Sequence, residues 1–131
     1  MKTLIVEDDF TSRLLLRELL KKYGRTDVAV NGREAIETAR EALEAGEPYD
    51  LICLDIMMPE MDGQKALRQI REQEESRGII SSNGAKIVMT TALDDMKNVF
   101  AAYMGLCDAY LTKPIQKAKL IDELIKLKLI S

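Results

Sequence analysis

The chain has 131 residues, 47% hydrophobic and 31% charged, which predicts one compact domain and excludes a disordered chain or a membrane protein. Its formal net charge is −3 and no run of lysine and arginine forms a basic patch, so we expect neither nucleic acid nor a membrane as a partner. The absence of histidine excludes serine-type triads, histidine metal ligands and phosphohistidine chemistry on this chain.

Short apolar runs alternate with amphipathic stretches along the whole chain, which is typical of βα units around a parallel sheet. The runs are mostly continuous, as expected of strands that helices cover on both faces. They predict strands at Thr3–Val6, Asp27–Val30, Leu51–Leu54, Lys86–Thr90 and Ala109–Thr112. Cys53 lies within the third run and is not in CxxC spacing with Cys107, so we expect reduced thiols in the core.

Between the strands, apolar residues recur at helical spacing and predict five helices whose apolar stripes pack on the sheet. The first stripe ends at Gly24, and the second ends at Gly46 and Pro48. The five stripes are Leu15, Leu16, Leu19, Leu20 and Tyr23; Ala35, Ile36, Ala39 and Leu43; Ala66, Leu67 and Ile70; Met96, Val99, Phe100, Tyr103 and Met104; and Leu120, Ile121, Leu124 and Ile125.

One connection is long and polar, running from Glu72 to Ala85 with several serine, glycine and asparagine residues. It predicts a loop between a short third helix and the fourth strand. Ile79 and Ile80 interrupt it, and we expect them to cap the core rather than contact a partner.

Polar side chains follow four of the predicted strands, at the edge where ligands bind in open parallel sheets. Three carboxylates at one edge need compensation, since like charges about 4 Å apart repel by about 4 kcal/mol at an effective dielectric of about 20. A few hard oxygen ligands with room for water suit Mg²⁺ better than Ca²⁺. The residues are Glu7, Asp8 and Asp9 after the first strand, Asp55 after the third, Thr90 and Thr91 at the fourth, and Lys113 after the fifth.

These groups predict phosphoryl chemistry with Asp55 as the nucleophile that forms an acyl phosphate. Mg²⁺, the Lys113 ammonium and a threonine hydroxyl would offset charge on the phosphoryl oxygens. The spacing alone leaves Thr90 and Thr91 as alternatives for the hydroxyl. Singly, each feature also fits a helix cap, a strand residue or a surface turn, and only their convergence at one edge indicates a site.

Four motifs stand out along the chain: Leu4-Ile5-Val6-Glu7-Asp8-Asp9, Asp55-Ile56-Met57-Met58-Pro59-Glu60-Met61-Asp62-Gly63, Thr91-Ala92 and Tyr110-Leu111-Thr112-Lys113-Pro114. They resemble the receiver domain of two-component response regulators, of the single-domain chemotaxis type, across essentially the whole chain. The resemblance implies a doubly wound (βα)5 flavodoxin-like fold with strand order 2-1-3-4-5 and one receiver domain over residues 1–131. Because the first strand begins directly after the start of the chain, we expect a stand-alone receiver.

Carried over by motif, Asp55 resembles the phospho-acceptor, and Asp9 is a bystander. The Mg²⁺ ligands would be Glu7, Asp8, Asp55 and the backbone carbonyl of Met57. Thr91 and Lys113 would assist Asp55, and Tyr110 would be the aromatic switch that follows Thr91. Met57 and Leu93 also flank the route of water to the phosphoryl group, and because both are apolar we expect slow self-dephosphorylation.

The resemblance implies a sensor histidine kinase or a histidine phosphotransfer protein as the donor, and a downstream effector protein as the target. The effector surface would comprise the predicted fourth helix, the fifth strand and the last helix, on a monomer or a phosphorylation-dependent dimer. The N-terminus turns acidic before an export signal develops, so we expect a cytoplasmic signalling protein that is not an enzyme acting on other molecules. Two alternatives remain: an aspartate-nucleophile phosphatase and a phosphorylation-independent interaction module.

Overall fold

The computed structural model describes residues 1–56, 63–80, 83–91 and 106–131, without the side chain of Gln64. Five parallel strands form one sheet in the order β2-β1-β3-β4-β5, which confirms the predicted fold class. The strands are β1 (Thr3–Val6), β2 (Thr26–Ala29), β3 (Leu51–Asp55), β4 (Lys86–Thr91) and β5 (Ala109–Thr112). The helices in the described ranges are α1 (Phe10–Leu20), α2 (Gly32–Glu44), α3 (Gly63–Ser76) and the C-terminal α4 (Lys117–Lys126).

Side chains alternate between the two faces of the sheet and build two hydrophobic cores. One core lies under α2 and α3, and it includes Leu4, Val6, Ile52, Leu54, Ile87 and Met89. The other lies under α1 and α4, and it includes Ile5, Cys53, Val88, Leu111, Leu120 and Leu124. β3 is buried along its entire length, which explains its uninterrupted apolar sequence.

Local sequence sets the start of two helices. Asp9 is the N-cap of α1 and accepts a hydrogen bond from the Ser12 backbone N–H, and Asn31 caps α2 through the Glu34 N–H. Asp9 therefore takes the capping role that a post-strand aspartate often has. None of the helices in the described ranges has the length and apolar character that a membrane crossing requires.

Some sequence predictions about the helices are wrong. The predicted loop at Glu72 is helical as far as Ser76, because α3 turns Arg71 and Glu74 inward and buries both. Ile80 is 62% exposed and does not cap the core, whereas Ile79 is half-buried. Leu15 and Ile125 also face solvent, at 40% and 47% exposure, because helical spacing alone overestimates the width of a buried stripe. The helix predicted around residues 96–104 lies outside the described residues.

The strand predictions are nearly correct. β1 and β5 have the predicted bounds, β3 and β4 each extend one residue further, and β2 begins and ends one residue earlier. Val30 therefore lies beyond β2 and is 41% exposed. Cys53 is a buried thiol as expected, and burial raises its pKa to about 12, whereas Cys107 is half-buried.

A buried ion network fastens the amino edge of the sheet. The Arg71 guanidinium donates to the Glu74 carboxylate at 2.7 Å, to the Asp108 carboxylate at 3.0 Å, and to the carbonyls of Leu106 and Ala85 at 2.9 Å. Glu74 also accepts the Ala85 N–H, and Asp108 accepts the N–H of a β4 residue. Arg71 therefore joins α3 to the starts of both β4 and β5.

We expect Arg71→Met to lower the free energy of unfolding by about 3–5 kcal/mol, because it leaves two buried carboxylates without their cation. Urea unfolding measures the change. Arg40→Met is the matched control, since it breaks a surface pair with Glu44, and its expected cost is below about 1 kcal/mol. Equal costs for the two variants would show that the Arg71 network does not stabilise the fold.

Candidate functional site

Three carboxylates converge at the carboxyl edge of the sheet, as the sequence predicts. Glu7 and Asp8 directly follow β1, and Asp55 ends the neighbouring strand β3. One oxygen from each of the three lies within 4.8 Å of the others. Glu7 and Asp55 are buried while Asp8 is exposed, so the cluster opens to solvent on the Asp8 side.

Lys113 crosses the end of the sheet and contacts both buried carboxylates. Its ammonium lies 2.8 Å from Glu7 Oε1 and 3.3 Å from Asp55 Oδ2. The shorter of the two contacts is with Glu7, a residue 106 positions away in the chain. Burial by itself lowers the pKa of Lys113, yet the hydrogen bond with Glu7 and the charge of Asp55 outweigh it, so the pKa is raised.

Glu7 carries the strongest electrostatic perturbation described at this edge. Burial raises its pKa from 4.5 to about 7, the Lys113 hydrogen bond opposes that shift, and the neighbouring Asp55 carboxylate adds to it. Two carboxylates in contact cannot both be ionised without a cation to compensate them. The single Lys113 ammonium therefore leaves a negative charge at this site uncompensated.

The residues present fit a divalent cation. Glu7 Oε2 is buried and has no hydrogen-bond donor among the described residues, so one hard oxygen ligand is in place without a protein partner. Asp8 and Asp55 supply further carboxylate oxygens, and the exposed side leaves room for water. Few carboxylates with retained water is the environment that Mg²⁺ prefers.

The two threonines that the sequence left open lie at the end of β4 and are both buried. Strand alternation turns Thr90 toward the α1–α4 face and Thr91 toward the α2–α3 face. Tyr110 is half-buried and packs against the core on the same face as Thr91. The predicted switch residues Thr91 and Tyr110 thus share a face, on neighbouring strands.

Two residues near the site have structural roles that the sequence analysis did not predict. Arg13 of α1 donates to the backbone carbonyls of Glu7 and Asp8, at 3.0 and 3.4 Å, and so fixes the loop that carries the acidic pair. Gly63 starts α3 so close to β3 that a Cβ there would lie 2.3 Å from the Asp55 carbonyl oxygen. An arginine five or six residues after an acidic pair is too common a pattern to have indicated the first role.

Some predicted positions lie outside the described residues. These are Met57 with its carbonyl, the following part of the motif to Asp62, Ala92 and Leu93. The predicted ligand role of Met57 and the predicted slow self-dephosphorylation therefore stay predictions.

Comparison with known proteins identifies relatives across almost the whole chain. A sequence model of the response regulator receiver domain matches residues 3–125. The chemotaxis protein CheY of Halobacterium salinarum is 35% identical over 122 residues, which cover 92% of this chain and 91% of that protein. Longer relatives include histidine kinases of Oryza sativa, Dictyostelium discoideum and Saccharomyces cerevisiae, which are 32%, 37% and 30% identical; the chain spans 12%, 6% and 9% of their lengths.

Solved structures give the same match in three dimensions. One is a co-crystal structure of the Saccharomyces cerevisiae histidine phosphotransfer signalling protein Ypd1 with the receiver domain of its response regulator Ssk1, at TM-score 0.80 and 29% identity, covering 97% of this chain and 88% of that chain. Another is the receiver domain of the sensor histidine kinase PA1611 of Pseudomonas aeruginosa, with a magnesium ion in its active site cleft. Its TM-score is 0.75 at 28% identity, covering 96% of this chain and 95% of that chain.

The raised pKa of Glu7 predicts a pH-dependent stability in metal-free buffer. Between pH 4.5 and about 7 the folded protein holds a proton that the unfolded chain releases, so stability falls as the pH rises through this window. Glu7→Gln mimics the protonated side chain. We expect it to match the wild type near pH 4 and to exceed it by a margin that grows by about 1 kcal/mol per pH unit toward pH 7.

Urea unfolding in EDTA, repeated across this pH range, measures that difference. Glu37→Gln on the exposed side of α2 controls for the loss of one negative charge. A difference between Glu7→Gln and the wild type that stays constant with pH would contradict the assignment.

Proposed function

Because the chain belongs to the response regulator receiver domain family, we propose that it accepts a phosphoryl group on Asp55 in a Mg²⁺-dependent reaction and thereby switches a protein-binding surface. The observation that carries this proposal is the cluster of Asp55, Glu7 and Asp8 within 4.8 Å, with Lys113 at 3.3 Å from the acceptor. The coarser role, a receiver domain of two-component signalling, follows from membership of the family.

In the proposed reaction, an Asp55 carboxylate oxygen forms a bond to phosphorus while the P–N bond of a phosphohistidine donor breaks. The electron pair of that bond leaves with the imidazole nitrogen of the donor. Lys113 and the Thr91 hydroxyl would each contact a phosphoryl oxygen. Mg²⁺, held by Glu7, Asp8, Asp55 and the Met57 carbonyl, would offset charge on the phosphoryl oxygens.

The same residues make other contacts before phosphorylation. Lys113 is shared between Glu7 and Asp55, and its transfer to a phosphoryl oxygen would change the charge balance at this edge. Thr91 would move toward the phosphoryl group, and Tyr110 would follow it on the same face of the sheet. Phosphorylation shifts such a two-state equilibrium only by the difference in its contacts with the two states.

We propose a histidine kinase or a histidine phosphotransfer protein as the donor, since this chain has no histidine of its own. The similarity to the Ssk1 receiver, crystallised with a phosphotransfer protein, supports this class of partner. We also propose that the receiver over residues 1–131 acts by itself, and the match to CheY of Halobacterium salinarum, of which the chain covers 91%, supports this part of the proposal. The chain spans only 12% and 6% of two of its kinase relatives.

The proposed effector surface consists of β5, α4 and the helix predicted around residues 96–104. A groove of about 570 Å³ supports it on the described side, where β5 residues from Ala109 to Thr112 form one wall. Lys119, Asp122 and Glu123 of α4 form the other wall. Asp108 completes the lining, so the groove combines charged side chains with the apolar side chains of Ala109 and Leu111, as the rim of a protein interface does.

Incubation with phosphoramidate, a small phosphohistidine mimic, tests the proposal by intact mass. We expect one phosphoryl increment that needs Mg²⁺, disappears in EDTA and is absent from Asp55→Asn, because the nucleophile and the metal site are both required. We also expect the adduct to persist for minutes or longer after the donor is removed, since Met57 and Leu93 cannot position a water molecule.

The matched control is Asp9→Asn, which keeps a side chain able to cap α1 and leaves the predicted ligands intact. It should be phosphorylated like the wild type. No increment under any condition would contradict the proposal and favour a phosphorylation-independent interaction module. Rapid release of phosphate without a lasting adduct would favour the phosphatase, and a lifetime of seconds would contradict slow self-dephosphorylation.

A further inference from the structure

Thr90 places a buried hydroxyl at the site that the proposed function does not use. The residue is 1% exposed, and its Oγ1 has no hydrogen-bond partner among the described residues. Most buried polar side-chain atoms are hydrogen-bonded, because an unpaired buried hydroxyl is destabilising. A hydroxyl kept in such a position is therefore expected to act on a neighbouring group.

The strand register identifies that neighbour. Asp55 of β3 pairs directly with Thr90 of β4, and alternation turns both side chains to the α1–α4 face. Glu7 follows β1 one position beyond the pair Val6↔Leu54, at the same level as Asp55. Glu7, Asp55 and Thr90 thus form one polar row across three adjacent strands, about 4.8 Å from strand to strand.

On the same face of the sheet, this polar row comes directly after a row of apolar residues. Ile5, Cys53 and Val88 pair in register two residues earlier on the same three strands, and all three are buried. On the other side of Thr90, its β5 partner Leu111 is apolar. Asp55 is therefore the polar neighbour in the row that the Thr90 hydroxyl can reach.

The contacts of Lys113 give the hydroxyl of Thr90 a role next to Asp55. The Lys113 side chain starts from the end of β5 and reaches Asp55 and Glu7 past the end of β4, the strand that lies between β5 and β3. Once the Lys113 ammonium contacts a phosphoryl oxygen instead, the Thr90 hydroxyl can supply a further donor to the Asp55 carboxylate. A threonine hydroxyl can donate one hydrogen bond, and an ionised carboxylate can only accept.

We infer that Thr90 is a positioning residue for phosphorylation. When a phosphoryl donor draws Lys113 away, the Thr90 hydroxyl donates to the Asp55 carboxylate, directly or through one bound water, and holds the attacking oxygen toward the donor. Thr91 cannot take this role, because it faces the opposite side of the sheet. The inference rests on the proposed function, since it concerns the rate at which Asp55 is modified.

The test separates the hydroxyl of Thr90 from its methyl group. Thr90→Val keeps the shape and removes the hydroxyl, whereas Thr90→Ser keeps the hydroxyl and removes the methyl. At fixed Mg²⁺ and phosphoramidate, we expect Thr90→Val to slow phosphorylation of Asp55 about three- to tenfold, the value of one hydrogen bond. Thr90→Ser should retain the wild-type rate although it unfolds at lower urea concentration.

Thr3→Val is the matched control, since Thr3 is a buried strand threonine at the opposite edge of the sheet. It should leave the rate unchanged. If Thr90→Val fails to fold, Thr90→Ser and Thr90→Ala give the same comparison, because they differ only in the hydroxyl.

Two results would overturn the inference while the proposed function stands. One is a Thr90→Val protein that is phosphorylated at the wild-type rate. The other is a Thr90→Ser protein as slow as Thr90→Val, which would assign the effect to packing. A wild-type protein that is never phosphorylated would instead overturn the proposed function, and this inference with it.

Discussion

The contact of one ammonium, that of Lys113, with two buried carboxylates is the interaction on which the carboxyl edge of the sheet depends. Lys113 contacts Glu7 and Asp55 at once, and a single positive charge cannot compensate both when they are ionised. Burial, opposed by Lys113 and assisted by Asp55, raises the pKa of Glu7, and one buried oxygen of Glu7 has no donor among the described residues. In the proposed function, an edge short of positive charge would bind a divalent cation, and that cation would prepare the Asp55 carboxylate for a phosphoryl group.

Both edges of the sheet contain buried charged residues, but their hydrogen bonds are complete at the amino edge and incomplete at the carboxyl edge. At the amino edge, Arg71 donates to two carboxylates and two carbonyls, and both oxygens of Glu74 accept hydrogen bonds. At the carboxyl edge lie two of the three buried side-chain atoms that have no partner among the described residues, on Glu7 and Thr90. A saturated network holds strands together, whereas an unsaturated one leaves groups available to a ligand.

Contacts with the neighbouring backbone hold the three carboxylates of the carboxyl edge in place. Arg13 fixes the loop after β1 through its carbonyls, and Asp9 caps the helix that follows. Gly63 allows α3 to approach the backbone of Asp55 more closely than any residue with a Cβ would. Each of these contacts fixes main chain rather than a functional side chain, so Glu7, Asp8 and Asp55 are presented from fixed positions.

The sequence by itself determined the fold class, all five strands to within one residue at their ends, and the set of polar residues at the carboxyl edge. It could do so because strands buried on both faces have continuous apolar runs, and because parallel strands all end at the same edge. It could not determine the contact of Lys113 with Glu7, the separation of Thr90 from Thr91, or the inward turn of Arg71. Those depend on the register between strands and on packing between segments far apart in the chain, such as the 106 positions from Glu7 to Lys113, and only the tertiary structure decided them.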